Sequence, residues 1–232
     1  MRYAVLGTGV VGQTVAAKLA SLGHEVVVGT RDPKATLART EPDGYGNPPF
    51  AHWLAAHEQV RLETFADAAA WAETVVNTTS GAATLQALEA AGTANLAGKV
   101  LIDIANPLDF SQGMPPSLNP VNTDSLGEQV QRAFPEAKVV KTLNTMNCQI
   151  MVDPARVPGE HTVFVSGDDT VAKKAVTDLL VSFGWPANSV LDLGDISTAR
   201  GTEMLLPIWL RLWGALGHAD FNFHIQGART GA

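Results

Sequence analysis

A glycine-rich turn near the start of the chain is the strongest chemical motif in the sequence. It reads Gly7-Thr8-Gly9-Val10-Val11-Gly12. The first glycine permits a tight turn out of a strand, the second lets the backbone approach a pyrophosphate, and the third allows a helix to pack closely on a sheet. The start of that helix offers unpaired N–H groups and a positive dipole end to phosphates. The spacing therefore predicts a dinucleotide-binding site made by these six residues.

Farther along the chain, one hydroxyl-bearing and two cationic side chains occupy the region where NAD-dependent enzymes usually carry an acidic residue. They are Thr30, Arg31 and Lys34. A guanidinium holds a phosphate through a fork of donors, so this set predicts NADP(H) rather than NAD. Asp32 leaves an alternative open, because its carboxylate suits a ribose hydroxyl. A solvated basic turn without a ligand is the other interpretation.

The elements predicted on both sides of the glycine turn support its assignment as a dinucleotide-binding site. Residues 2–6 are typical of a short buried strand, and residues 25–29 of a second one. Between them, Val11, Val15 and Leu19 recur at helical spacing. Strand, glycine turn, helix and strand form the unit in which the motif binds dinucleotides.

Apolar strands alternate with helices along most of the chain. Further strands are predicted at residues 60–63, 74–78, 99–104, 138–143, 162–166 and 190–193. This alternation predicts an α/β fold, a Rossmann-type doubly wound parallel sheet with a small C-terminal α/β domain. We expect residues 1–153 to form the NADP-binding Rossmann domain. We expect residues 154–232 to form the small domain, which contributes to the acceptor cleft and to a dimer interface.

The last predicted helix is apolar on almost every side. Ser197 and Thr198 are expected to cap it, Pro207 to kink it, and its apolar run covers residues 204–216. Arg211 lies in the middle of the run, which is also too short to span a membrane. We expect this helix to be buried against the first domain or a second subunit.

The carboxyl ends of the later strands supply the remaining cofactor candidates, since ligands of doubly wound sheets lie across those ends. These candidates are Thr78, Thr79, Ser80, Asn106, Pro107, Asn144 and Met146. Residues 78–81 have an alternative role as the N-cap of the next helix. Thr145 and Met146 are placed to line a hydride-transfer cleft, although a methionine there is often core packing.

No catalytic acid or base is identified in the predicted cleft. None of the six histidines follows a predicted strand there, and no metal-ligand cluster is evident. Cys148, the single cysteine, is interpreted as a buried inert thiol. Hydride transfer between two ring cofactors needs orientation and exclusion of water more than a protein acid. The sequence thus favours an oxidoreductase without a catalytic side chain.

Composition limits the partners. The chain has 232 residues, 46% of them hydrophobic, and a formal net charge of −7, which argues against nucleic-acid binding. A single cysteine excludes an internal disulfide framework and is typical of a reducing compartment. Because no uninterrupted apolar run reaches about eighteen residues, we expect a cytoplasmic protein without a membrane span.

Three longer motifs resemble a known family. They are GTRDP at residues 29–33, VSGDD at 165–169 before a Lys-Lys helix, and DLGDISTAR at 192–200 before Glu-Met-Leu-Leu-Pro. Together they resemble the NADPH:coenzyme F420 oxidoreductases over nearly the whole chain. Related motifs occur in the cytosolic NADPH domain of the six-transmembrane metalloreductases.

The resemblance implies a homodimer and direct hydride exchange between NADPH and a deazaflavin stacked on the nicotinamide. It also implies NADP contacts at Thr8, Val10, Thr30, Arg31 and Lys34. Residues 143–147 and the insert at residues 44–53 depart from the family pattern. Coenzyme F420 or a flavin is the expected acceptor. A carbonyl, imine or quinone reductase and a non-catalytic NADPH sensor remain the alternatives.

Overall fold

The computed structural model describes residues 1–42 and 46–227. In this part of the chain, eight strands form one sheet and two short strands form a hairpin. The strands of the sheet are β1 (Arg2–Leu6), β2 (Glu25–Thr30), β3 (Val60–Thr64), β4 (Thr74–Asn77), β5 (Val100–Asp103), β8 (Lys138–Thr142), β9 (Val163–Ser166) and β10 (Val190–Asp192). The strands of the hairpin are β6 (Leu108–Asp109) and β7 (Ser117–Leu118).

Helices cover both faces of the sheet. The first six are α1 (Val10–Ser21), α2 (Pro33–Leu37), α3 (Phe50–Ala55), α4 (Phe65–Trp71), α5 (Gly81–Ala91) and α6 (Thr93–Leu96). The others in the described residues are α7 (Leu126–Ala133), α8 (Cys148–Val152), α9 (Thr170–Phe183), α10 (Ala199–Glu203) and α11 (Leu206–Leu216).

The sheet reverses its winding direction beside β1. Its order is β10-β9-β8-β5-β4-β1-β2-β3, and β1 pairs in parallel with both β2 and β4. The chain therefore winds outward in one direction from β1 through β2 and β3, and then in the other direction from β4. Loops diverge at such a switch point and leave a crevice at the carboxyl ends of the strands. The predicted doubly wound fold is confirmed.

Each face of the sheet carries its own apolar core. One core joins Val5, Val28 and Val140 to α1 and α9, and the other joins Leu6, Leu101 and Val139 to α4, α5 and α7. Strands buried on both faces read as continuous apolar runs, which is why these segments show no polar alternation. The rigid sheet holds the strand ends in fixed register.

The C-terminal α/β unit extends the same sheet. It consists of β9, α9 and β10, and β9 pairs with β8 in antiparallel register at Lys141 and Ser166. The sheet is therefore parallel except at this pair, which joins the C-terminal unit to β8. Asp169 caps α9, because its side chain accepts from the Ala172 N–H. The division into domains of residues 1–153 and 154–232 stays a prediction.

The last apolar segment folds differently from the prediction. The single predicted helix is divided into α10 and α11, and Pro207 lies in the first turn of α11. Proline is tolerated there because the first turn has no carbonyl partner for its missing N–H. Thr198 is the N-cap residue of α10 but makes no side-chain capping bond, whereas Asp195 caps the preceding 3-10 turn by accepting from the Ser197 N–H.

Membrane-spanning helices and metal-ligand clusters are both absent from the described residues. Over residues 1–42 and 46–227, no helix is long and apolar enough to cross a membrane. The same ranges contain no group of three or more metal-ligating side chains.

Candidate functional site

Two glycines of the turn are required by close backbone contacts. Gly7 has a φ of 123°, a conformation that side chains disfavour. A Cβ on Gly12 would overlap the Gly7 carbonyl oxygen and would lie 2.8 Å from Thr78 Oγ1. Gly12 therefore lets α1 start against β1 and against the loop after β4.

The start of α1 is open toward a ligand. Gly9 is its N-cap, no side chain caps it, and its first turn has no acidic residue. A Cβ on Gly9 would meet nothing within 4 Å, so the space in front of the helix is free. Unpaired N–H groups beside open space suit a pyrophosphate. The glycine turn thus fits a dinucleotide.

The loop after β4 combines two structural hydroxyls with a free one. Thr78 Oγ1 donates to the Leu6 carbonyl at 2.9 Å, and Thr79 Oγ1 donates to Asn77 Oδ1 at 2.7 Å. Ser80 is the N-cap of α5 but makes no side-chain capping bond. The Ser80 hydroxyl is exposed and has no hydrogen-bond partner among the described residues. It faces solvent and is available to a ligand.

The phosphate ligands predicted after β2 differ in their exposure to solvent. Thr30 is 8% exposed, and its hydroxyl lies 2.9 Å from that of Thr36. Arg31 and Lys34 are exposed at the start of α2. Asp32 caps α2, with Oδ1 accepting from the Ala35 N–H at 3.0 Å. The Asp32 carboxylate thus has a structural partner, whereas the two cations face solvent.

A reciprocal amide pair joins the ends of β5 and β8. Asn144 Nδ2 donates to Asn106 Oδ1 at 3.0 Å, and Asn106 Nδ2 donates to the Asn144 carbonyl at 2.7 Å. Leu143 reaches this geometry with a φ of 63°. Gly81 packs so tightly on the Asn106 carbonyl that a Cβ there would overlap it. The three strand-end loops are therefore locked together.

Directly beneath this pair lies a buried ionic cluster that sequence reasoning missed. Lys141 Nζ lies 2.9 Å from Asp103 Oδ2 and 2.8 Å from Glu203 Oε1, and the ammonium also donates to the Ala105 carbonyl. The side chains of Lys141 and Asp103 are 0% exposed. Burial by itself lowers the pKa of Lys141, but the two carboxylates overcome it, and the pKa lies above its ordinary value.

The cluster ties distant elements to the site. Asp103 Oδ1 accepts from Asn77 Nδ2 at 2.8 Å, and Asn77 in turn holds Thr79. Glu203 accepts from the N–H groups of Leu126 and Gly127 at the start of α7. The sequence signal was Lys141 inside the buried strand β8, whose sequence is KVVKT.

The other candidates after β8 are enclosed. Asn144, Thr145 and Met146 are 3%, 2% and 6% exposed, and Met146 belongs to the apolar core that contains α1. Packing is thus the observed environment of Met146, and its contact with a cofactor stays a prediction. Cys148 is buried, with Sγ 3.7 Å from Thr14 Oγ1. Gly44 and Tyr45 of the insert lie outside the described residues.

Comparisons with known proteins place this geometry in a family. The family described as NADP oxidoreductase, coenzyme F420-dependent, matches residues 2–107. A crystal structure from Arthrobacter sp. FB24, whose name assigns it to the F420-dependent NADP reductases, is 66% identical. The two chains superpose with a TM-score of 0.92 over 98% of this chain and 100% of the other. This chain belongs to the coenzyme F420-dependent NADP oxidoreductase family. The protein is accordingly an NADP-dependent oxidoreductase, and the family resemblance of its sequence is confirmed.

More distant proteins are similar to this oxidoreductase in sequence or in fold. Metalloreductase STEAP3 from Rattus norvegicus is 27% identical over 212 residues, which cover 90% of this chain and 38% of the relative. The oxidoreductase thus spans well under half of that protein. A reductive aminase from Aspergillus terreus, solved with NADPH, is 20% identical with a TM-score of 0.60, over 93% of this chain and 62% of the aminase.

Proposed function

We propose that NADP(H) lies across the crevice at the carboxyl ends of β1, β2, β4, β5 and β8. The open helix start at Gly9 would hold the pyrophosphate, and Arg31 with Lys34 would hold the 2′-phosphate. The observation that carries this proposal is the uncapped start of α1 beside free space. The remaining cofactor contacts proposed along the crevice are Gly7, Thr8, Val10, Val11, Gly12, Thr30, Thr78, Thr79, Ser80, Asn106, Pro107, Asn144 and Met146.

We infer that the acceptor is a deazaflavin such as coenzyme F420, or a flavin. When bound, the nicotinamide supplies or receives a hydride. The residues of this chain orient the ring and exclude water: Asn106 and Asn144 are fixed to each other, and both Lys141 carboxylate partners are already neutralised. Loops that are locked in this way suit a reaction that depends on alignment of two rings.

An anaerobic hydride-transfer assay tests the acceptor. Purified protein with NADPH is mixed with coenzyme F420, FMN or FAD, and both the nicotinamide and the acceptor absorbances are followed. We expect reduction of at least one of these rings. Turnover only with carbonyl, imine or quinone compounds would replace the proposal with the alternative reductase. Tight NADPH binding without turnover on any acceptor would favour the sensor.

We also propose that the oxidoreductase is a homodimer that uses α11. Among the residues that the structure describes, only Leu206 of this helix is buried, while Ile208, Trp213 and Leu216 are 46%, 43% and 50% exposed. Exposed apolar side chains on one helix are typical of an interface. Light scattering coupled to gel filtration should give twice the 24.5 kDa chain mass. Trp213→Glu should shift the mass to that of the monomer, and a monomeric wild-type protein would exclude this interface.

A further inference from the structure

A cavity opens beside the glycine turn, and the family resemblance assigns no function to it. It has a volume of about 640 Å³. Thr8, Gly9 and Gln13 line one side of it, and Thr36 and Arg39 line the side that follows β2. The cavity therefore connects the proposed pyrophosphate site to a cation that sequence reasoning did not select.

Helix α2 fixes the position of this cation. Arg39 comes two residues after the end of α2, and its N–H donates to the Thr36 carbonyl. Arg31 comes two residues before the start of the same helix. Five helical residues span only about 7.5 Å, so two long side chains at the two ends can reach one anion.

Three cations lie on or beside α2, and Arg39 is the one of them that lines the cavity. Arg31, Lys34 and Arg39 are all exposed, and within the described residues none of them forms an ion pair. The chain as a whole carries a net charge of −7, so three unpaired cations close together are a local departure. Glu41 lines the cavity too, but it does not pair with Arg39. An unpaired guanidinium retains its fork of donors for a phosphate.

We propose that Arg39 is a specificity-determining residue that binds the 2′-phosphate of NADP(H) together with Arg31. The inference rests on the proposed function, because it assumes that NADP(H) occupies the crevice. Thr30, which the sequence suggested as a phosphate ligand, is buried and bonded to Thr36. Because the Thr30 hydroxyl is already engaged, Arg39 supplies further donors and holds the phosphate from the cavity side.

Calorimetric titration with matched ligands tests this role. Wild type, Arg39→Ala, Arg39→Lys and Arg31→Ala are titrated with NADPH, NADH and adenosine 2′,5′-bisphosphate. Arg39→Ala should weaken NADPH and the bisphosphate about tenfold and leave NADH unchanged, because one charged hydrogen bond is lost. Arg39→Lys should recover only part of the affinity, since an ammonium cannot form the fork.

Two further variants make the test specific. Glu41→Gln removes a negative charge from the same cavity. It should raise the affinity for NADPH about twofold and leave the affinity for NADH unchanged. Arg61→Ala removes an exposed guanidinium that stacks on Trp71, 4.8 Å from its ring, and should change neither affinity. Melting temperatures of all variants confirm that they are folded.

The possible failures are distinguishable. Unchanged NADPH affinity in folded Arg39→Ala, with weakened affinity in Arg31→Ala, would overturn the role of Arg39 and leave the proposed function standing. Equal losses for NADPH and NADH in Arg39→Ala would overturn its selectivity for the 2′-phosphate. A wild-type protein that binds no NADPH would contradict the proposed function itself.

Discussion

The glycine turn and the buried Lys141 cluster both position the ends of the strands, but they do so by different physics. The turn is six consecutive residues, and it works because side chains are missing where backbones meet. The cluster joins three residues that are far apart in the chain, and it works because buried charges neutralise one another. A local steric device is readable in a sequence, whereas a charge cluster becomes visible only after folding.

The difference extends to what each region does for the site. The turn leaves N–H groups and free space for a ligand. The cluster presents nothing to a ligand, since Lys141 and Asp103 have no exposed side-chain surface. It holds the Ala105 carbonyl and, through Asn77, the loop that carries Ser80. The glycine turn is suited to bind a ligand, whereas the Lys141 cluster holds the neighbouring loops in position.

Removal of the buried cation should have the largest effect. Lys141→Met leaves Asp103 and Glu203 buried without a counter-charge, and the free energy of unfolding should fall by about 3–5 kcal/mol. The exposed pair of Lys174 with Asp178 provides the control, and Lys174→Met should cost less than about 1 kcal/mol. Denaturant unfolding at pH 7 measures both losses, and equal losses would contradict the contrast between buried and exposed pairs.

The same variant should become sensitive to pH. Without the ammonium, burial and mutual repulsion disfavour the negative charges of Asp103 and Glu203. Protonation then relieves the penalty, so the loss in Lys141→Met should be smaller at pH 5 than at pH 8. In the wild type the pKa of Lys141 is raised, so its stabilising contribution is complete at neutral pH and is lost only as the pH rises above the ordinary lysine value.

The glycine turn should separate stability from binding. Gly12→Ala should lower the free energy of unfolding by about 1–3 kcal/mol, because its Cβ would overlap the Gly7 carbonyl. Gly9→Ala should cost at most about 1 kcal/mol, because its Cβ meets no atom of the protein. Both variants should lose NADPH affinity in a fluorescence titration. Normal affinity in Gly9→Ala would argue against a pyrophosphate at this turn.

A smaller effect, confined to one cofactor, is expected at Arg31. Arg31→Ala should weaken NADPH binding by about 1.5–3 kcal/mol through the loss of a charged hydrogen bond, and NADH binding should barely change. The dissociation constants of the two cofactors measure this selectivity. Equal losses for both would exclude Arg31 as the ligand of the 2′-phosphate.

The smallest effect is expected at the exposed pair of Asp124 and Arg132. Hydrogen bonds from Arg132 lower the pKa of Asp124 to about 2. Because the pKa is lowered in the folded state, the pair stabilises the protein above about pH 4, and this contribution is lost as the pH falls toward 2. Asp124→Asn should cost less than about 1 kcal/mol at pH 7, since solvent screens the pair. Melting curves at pH 7 and 3 should differ less in this variant than in the wild type.

The last helix illustrates what a sequence pattern leaves undecided. Apolar residues on most sides of residues 204–216 predicted burial, yet Ile208, Trp213 and Leu216 are exposed within the chain. Hydrophobicity indicates that a surface needs a partner, but it does not identify the partner. Likewise, the position of Met146 after β8 left both cleft lining and core packing open, and the structure shows it in an apolar core.

The sequence by itself determined the eight strands of the main sheet, the glycine turn, the doubly wound winding and the family. Each of these depends on contiguous residues, on apolar periodicity or on steric needs that only glycine meets. Tertiary structure alone decided the antiparallel addition of β9, the amide pair of Asn106 with Asn144, the charge cluster at Lys141 and the approach of Arg39 to the glycine turn. These features join residues that are distant in the chain, and their energies exist only once folding has removed water and brought the groups together.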